Sequence, residues 1–388
     1  MYRIGEAEVT RIRKLIQSGR IFRYGQGGEC DQFEKDWATH VGSRYARMAR
    51  NGTSAIYTSL VGLGVGPGDQ VIVPAYTYMA TALAVVAAGA IPVIADVDES
   101  LTLSPADVER RITAHTKAII PVHMVGLPCD MARLMRIARK RKLLVVEDAC
   151  QAVGGGFRGK KLGAIGHAGA YSFNFFKNIT CGEGGAFVTN RKAVYDRGSV
   201  AVDCCSFYWN PDQDREDLQF AGHNFRASEF EGAILNAQLT RLEPMLKKMR
   251  RQKQRLTAAG VKAGLQSIVN HSIEDECGTH AGFLFATEKQ ARAFRARLAQ
   301  AKVSSFLPMD TGRHVYTRWE PIMREQGAHH AALDPFKIPA NRKAKIRYSP
   351  EMCASSLDIL SRAVLVPTHP DHKADVVRHM LATIREAA

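Results

Sequence analysis

Hydrophobic positions first recur with a helical period. Val9, Ile12, Leu15 and Ile16 share one face of an expected helix from Glu6 to Ser18. Gly19 to Gly28 reads as a flexible loop. Asp31 can cap a second helix, in which Phe33, Trp37 and Val41 recur every four residues. From Tyr45 the pattern changes to short apolar runs separated by helical stretches. Tyr45 to Ala49, Val71 to Val73, Pro92 to Ala95, Ala118 to Val122 and Leu143 to Glu147 read as strands. Helices are expected from Asn51-Gly52-Thr53-Ser54 through Leu63, over Met79 to Ala88, from Ser104-Pro105, and over Met131 to Lys140. This alternation predicts an α/β fold with a mainly parallel sheet flanked by helices. Ligands in such sheets bind outside the carboxyl ends of the strands. Polar turns fall at those ends: Asn51 to Ser54, Asp148 to Gln151, and Ser172 to Lys177.

After Asn190 the alternation loosens. Ala201 to Ala221 reads as an irregular segment rich in aromatics. Helices are expected over Ala227 to Leu242 and, with many basic residues, over Met245 to Ala258. Gly282 to Ala286 resembles a strand and Glu288 to Lys302 a helix. The expected division is a large domain of residues 1–243 and a smaller C-terminal α+β domain of residues 244–388, parted near Pro244.

With 388 residues the chain can bury a sizeable core without a disulfide or metal staple. Its eight cysteines show no CxxC pair and no zinc-type spacing, so no metal is expected and a reducing, cytoplasmic setting is. The start of the chain lacks the apolar core of a secretion signal. Val71 to Ala95 is uncharged and long enough to span a bilayer. Its Pro74, Gly89 and Pro92 fit a strand–helix–strand unit instead. The net charge of +15 concentrates at Arg133 to Lys142 and at Lys247 to Arg255. No zinc finger, RNA-binding aromatic signature or basic zipper accompanies it, so solvated helix faces are expected rather than nucleic-acid binding.

Candidate chemistry gathers around Tyr171 to Asn190. The pattern is strand, lysine-bearing loop, tight turn, strand, with Lys177 in an aromatic run. An amine among apolar neighbours loses preference for its cationic form and can attack a carbonyl. The ordinary alternative is a lysine that snorkels to water past phenylalanine. If Lys177 forms an imine with pyridoxal phosphate, further supports are needed. A carboxylate should meet the pyridine nitrogen, and Asp148 ends an expected strand. Amides at a helix N-terminus should hold the phosphate, and Gly52-Thr53-Ser54 opens one. Tyr76 or Tyr78 could face the ring. Ser172 is close enough in sequence to reach the phosphate. Each could instead be a loop cap, an N-cap or core.

Several motifs occur in this order: Asn51 to Ala55, Pro74 to Tyr78, Pro121 to Gly126, Glu147 to Ala152, Ser172 to Lys177, Gly182 to Gly185, and Gly222 to Arg226. Together they resemble the signature of the DegT/DnrJ/StrS aminotransferases over about Phe22 to Leu242. The resemblance implies a fold-type I enzyme that uses pyridoxal 5'-phosphate. Lys177 would be the Schiff-base lysine and proton shuttle, and Asp148 would pair with the pyridine nitrogen. Tyr78 would stack on the ring, and Gln151 would sit near the phenolic oxygen. Gly52, Thr53, Ser54 and Ser172 would hold the phosphate. Asn224 would reach the phosphate of the neighbouring subunit, implying a homodimer with shared sites. Glutamate or glutamine would donate the amino group, and a keto sugar or related polyhydroxy ketone or aldehyde would accept it.

Relatives that dehydrate sugars carry histidine in place of the lysine, so Lys177 argues against that alternative. A regulatory protein on the same fold is the other alternative. Asp310 to Trp319 departs from the common motif of enzymes on nucleotide-linked sugars, as does Cys204 to Trp209. These departures bring free sugars, sugar acids and aminocyclitols into view. Arg313, His314 and Arg318 are candidate acceptor contacts; the alternative is surface charge beside Trp319.

Overall fold

The computed structural model describes residues 4–24, 27–204 and 218–388. Helices α1 (Glu6–Ser18) and α2 (Glu29–Val41) come first, followed by strand β1 (Tyr45–Ala49) and helix α3 (Gly52–Gly62). Then follow β2 (Gln70–Pro74), α4 (Ala80–Ala87), β3 (Ile91–Ala95), α5 (Pro105–Arg111), β4 (Thr116–Ile119), α6 (Met131–Arg141) and β5 (Leu144–Asp148). A small hairpin of β6 (Gly156–Phe157) and β7 (Lys160–Lys161) leads to β8 (Ala168–Ser172), β9 (Gly185–Thr189) and α7 (Lys192–Val202). The remainder holds α8 (Glu229–Lys262), β10 (Gln266–Ser267), β11 (His280–Leu284), α9 (Glu288–Gln300), α10 (Glu320–Met323), α11 (Ala354–Arg362), β12 (Ala363–Pro367) and α12 (Ala374–Ala387).

Seven strands form the main sheet in the order β1-β9-β8-β5-β4-β2-β3. The run β3-β2-β4-β5-β8 is parallel, and β9 runs antiparallel to both β8 and β1. The sheet is therefore mixed but mainly parallel, as the alternation predicts. Strand β2 is buried throughout. Its Val71 and Val73 enter one core and Ile72 enters the other. Burial on both faces explains why this strand reads as an uninterrupted apolar run. The uncharged stretch from Val71 to Ala95 is β2, α4 and β3, and no helix among the described residues is long and apolar enough to cross a membrane. The fold turns β1, β5 and β8 the same way, so Asn51, Asp148 and Ser172 leave the sheet on one side.

Three expectations change. Helix α7 was not expected, because Gly198 and scattered polar residues blur its period. Packing supplies what the pattern lacks: a Cβ on Gly198 would come within 2.7 Å of the Phe187 ring. The two helices expected either side of Pro244 are one helix of 34 residues, α8, with Pro244 inside it. Packing on α1, α2, α12 and β11 outweighs the single backbone bond that proline forfeits. The apolar face of α1 is only partly buried. Leu15 is inside, but Val9 and Ile16 are exposed, and it is Glu8 that is buried, accepting from Gln238 and Arg241 of α8. The expected irregular segment lies mostly at 205–217, outside the described residues, as do Gly25 and Gln26 of the first loop.

A second sheet, β10-β11-β12, is antiparallel. Phe283, Val364 and Val366 pack into a separate core beneath α9 and α12. Leu284 and Leu365 face the other way, into the core shared with α3 and α4. The segment after β11 also returns to the large sheet: Tyr76 bridges Val315, and Thr77 N–H donates to His314 carbonyl at 2.9 Å. That return brings part of the C-terminal half against the strand ends.

Candidate active site

A cavity of about 740 Å³ opens at the carboxyl ends of β1, β5 and β8. It is lined by Gly52, Thr53, Tyr78, Asp148, Gln151, Ser172, Lys177 and His314 among the residues expected from sequence. These come from five separate stretches, which the topology gathers.

Helix α3 begins at the cavity. Asn51 is its N-cap: the side chain accepts from Ser54 N–H at 2.9 Å, and Asn51 N–H donates to the Ser54 hydroxyl at 3.1 Å. The first-turn amides of Gly52 and Thr53 precede the helical ladder and suit an anion. Glycine is required at 52 by crowding. A Cβ there would stand 2.8 Å from Cys150 Sγ and 2.9 Å from Ser172 Cβ. The close approach puts the Ser172 hydroxyl beside the helix terminus. Ser54 is not among the lining residues. Its hydroxyl donates to the Asn51 carbonyl at 2.9 Å, so it serves the cap rather than the cavity.

Asp148 ends β5 and is buried. Its Oδ1 accepts from Cys150 N–H at 3.1 Å and its Oδ2 from the Thr81 hydroxyl at 2.8 Å. The preceding residue, Glu147, faces the opposite side of the strand. It accepts from the amides of Gly163, Ile165 and Gly166 and contacts His123 Nε2 at 3.1 Å. Burial pushes the Cys150 thiol well up, with the Asp148 charge adding to it, so Cys150 is a neutral wall.

Lys177 sits in the loop between β8 and β9, half-buried, its N–H bonded to Asn174 carbonyl at 2.9 Å. Strand, lysine loop, turn and strand are as expected. The aromatic packing is not. Phe173 is buried, but Phe175 is 37% and Phe176 81% exposed. The cavity that Lys177 lines is mixed: Asn174, Asn178, Gln151 and Glu183 line it together with Phe176, Val122 and Val125. Gln151 Oε1 accepts from Val125 N–H at 3.2 Å, which fixes its orientation.

Tyr78 is 45% exposed, and its ring lies 5.4 Å from that of His314, tilted by 52°. The other aromatic candidate, Tyr76, is core. Burial lowers the His314 pKa; the Thr311 carbonyl opposes this and the Lys177 charge adds to it, so the imidazole is neutral at neutral pH. Arg313 and Arg318 are exposed and are not among the lining residues. Helical turns at 312–314 and 316–318 point them outward, while the Arg313 carbonyl accepts from Met79 N–H and Trp319 Nε1. Asn224 is exposed, pairs with Asp203 in a short bridge and is also outside this cavity.

Sequence reasoning missed Thr81, Thr279, His280 and Thr368, which line the cavity. The last three belong to the small sheet and its edge. Nothing local marks them, because long-range packing brings them there. Burial lowers the His280 pKa to about 4, with the Val125 carbonyl opposing and Lys253 adding, and its Nδ1 is buried without a partner.

A sequence model of the DegT/DnrJ/EryC1/StrS aminotransferase family matches residues 2–385. The chain belongs to this family. It is 42% identical over 221 residues to GDP-perosamine synthase from Caulobacter vibrioides, an alignment that covers 55% of this chain and 57% of that protein. It is 33% identical over 338 residues to GDP-perosamine synthase from Escherichia coli O157:H7, covering 82% and 88%. Among solved structures, 3-amino-5-hydroxybenzoic acid synthase superposes with a TM-score of 0.79 at 28% identity, covering 99% and 97%. The protein is an aminotransferase with pyridoxal 5'-phosphate as its cofactor. The dehydratase and regulatory alternatives are not favoured.

The cavity residues fit that cofactor. The first-turn amides of Gly52 and Thr53 and the hydroxyls of Thr53 and Ser172 offer a phosphate cradle that a Cβ at 52 would crowd; the Ser172 hydroxyl accepts from Asn174 N–H and keeps its own proton to donate. A fixed carboxylate, Asp148, and an amine, Lys177, line the same cavity.

Proposed function

We propose that the protein transfers the amino group of glutamate or glutamine to a keto sugar or a related polyhydroxy ketone or aldehyde. The observation that carries this reading is the single cavity holding Lys177, Asp148 and the start of α3. The names of the relatives, which include a dTDP-3-amino-3,4,6-trideoxy-α-D-glucose transaminase from Streptomyces venezuelae, support a sugar-like acceptor.

In this reading the cofactor, when bound, supplies an electron sink for the carbon that loses its proton. Gly52, Thr53 and Ser172 would hold its phosphate through amides and hydroxyls. Asp148 would pair with its ring nitrogen and keep a proton there. Tyr78 would stack on the ring, and Gln151 would serve the phenolic oxygen. The Lys177 amine takes the proton from the donor carbon and returns it on the acceptor side. His314, neutral and beside Tyr78, contacts the acceptor by hydrogen bonding rather than by charge. Asn224 serves the site of a second copy in a homodimer. Residues 1–243 and 244–388 are the large and small domains, and the enzyme works in the cytoplasm.

The test is transfer itself. Loaded enzyme with glutamate or glutamine should release the matching 2-oxo acid, and adding keto sugars or keto cyclitols should yield the amine by mass spectrometry. Release of the 2-oxo acid with no amine from any polyhydroxy acceptor would refute the acceptor class.

A further inference from the structure

Among the described residues, Asp148 accepts from Cys150 N–H and from the Thr81 hydroxyl, and only the backbone donor is explained by the strand end it occupies. The other is Thr81, in the first turn of α4, at 2.8 Å. A threonine in a helix commonly returns its hydroxyl to the carbonyl four residues earlier. Thr81 turns across to the end of β5 instead. A second hydroxyl, that of Thr77, lies 2.8 Å from it. Both threonines are 1% exposed.

The direction of this chain follows from proton counting. A hydroxyl has one proton to give. Thr81 spends its proton on Asp148, so at their 2.8 Å contact Thr77 donates, in preference to its longer 3.5 Å approach to the Tyr78 carbonyl. Thr77 is anchored in turn, since its N–H donates to His314 carbonyl at 2.9 Å. Cys150 N–H on Oδ1 and Thr81 Oγ1 on Oδ2 hold the two carboxylate oxygens from different elements, which fixes the carboxylate plane. Thr81 also lines the cavity, so the fixed carboxylate edge borders the ligand space.

We infer that Thr81, backed by Thr77, is a positioning residue that holds the Asp148 carboxylate in the orientation the cofactor ring requires. The inference rests on the assignment of Asp148 to the ring nitrogen. Hydrogen bonds to charged groups are among the stronger ones, and an orphaned buried acceptor is costly. Loss of the Thr81 hydroxyl should therefore weaken cofactor binding by about tenfold or more.

The experiment compares Thr81→Val, Thr81→Ser, Thr77→Val, the double valine variant and Asp148→Asn. Pyridoxal phosphate affinity is measured by equilibrium dialysis, and the visible absorbance of each loaded protein is titrated with pH. Thr81→Val should bind about tenfold more weakly, with a displaced absorbance titration. Thr81→Ser, which keeps the hydroxyl, should restore both. Thr77→Val should weaken binding by a smaller factor, and the double variant should match Thr81→Val alone, because the outer link acts only through the inner one. Circular dichroism melts check that each variant is folded. If Thr81→Val binds and titrates like the parent while Asp148→Asn does not, the inference about Thr81 is overturned and the Asp148 assignment stands. If Asp148→Asn is also unchanged, both are overturned.

Discussion

At the scale of single residues, the site depends on close approach as much as on functional groups. Gly52 has no side chain, yet its absence of a Cβ lets α3 meet Ser172 and Cys150. Gly52→Ala should lower stability by about 1–3 kcal/mol through overpacking and should weaken cofactor binding more than a remote change of equal cost. Melting curves with and without pyridoxal phosphate separate the two effects; equal melting temperatures for parent and variant in both conditions would remove the crowding argument. His280 gives a pH signature. Its pKa falls from 6.5 to about 4 on burial, so the folded chain takes up this proton at lower pH than the unfolded chain does. Stability is then complete above pH 6.5 and declines as pH falls toward 4. The full contribution is at most roughly 3 kcal/mol. His280→Gln should lose less stability between pH 7.5 and pH 5 than the parent, measured by urea denaturation at both pH values. An equal loss in both proteins would mean that other groups dominate acid sensitivity.

At the scale of elements, legibility in the sequence followed locality. Strands β2, β3 and β5 were readable because burial on both faces leaves short apolar runs. The start of α5 was readable because Ser104 and Pro105 are a cap and a first-turn proline. The lysine loop was readable because its residues are consecutive. Helix α7 was not, because Gly198 there answers to Phe187 across the fold. The wall made by Thr279, His280 and Thr368 was invisible for the same reason. Ser54 shows the converse: its type suits a phosphate, but its proximity to Asn51 makes it a cap. Pro244 misled because a proline usually ends a helix, whereas α8 is held along its length by neighbours. Pro244→Ala should restore one backbone bond at an exposed position. The expected gain is about 1 kcal/mol, below the usual cost of an interior proline because the helix has already adapted. A melting temperature unchanged or lowered by this substitution would show that the proline is already accommodated without cost.

At the scale of the whole molecule, the proposed homodimer bears on the surface around the cavity. Phe175 and Phe176 pack edge to face at 5.2 Å, and Phe176, which lines the cavity, is 81% exposed. Large exposed apolar groups beside a functional opening mark a contact surface. The homodimer proposed above would cover them. Sedimentation should give a dimer for the parent and a shift toward monomer, with weaker cofactor binding, for Phe176→Asp; a monomeric parent that retains full activity would contradict the shared-site reading. Lys177 is proposed above to carry proton transfer in the aminotransferase site. The most direct test of that role follows the visible absorbance of protein loaded with pyridoxal phosphate as glutamate or glutamine is added, for the parent and for Lys177→Ala. The parent band should be bleached by one of these donors, with release of the 2-oxo acid, while Lys177→Ala should show no donor-driven exchange. Exchange at the parent rate in Lys177→Ala would contradict it.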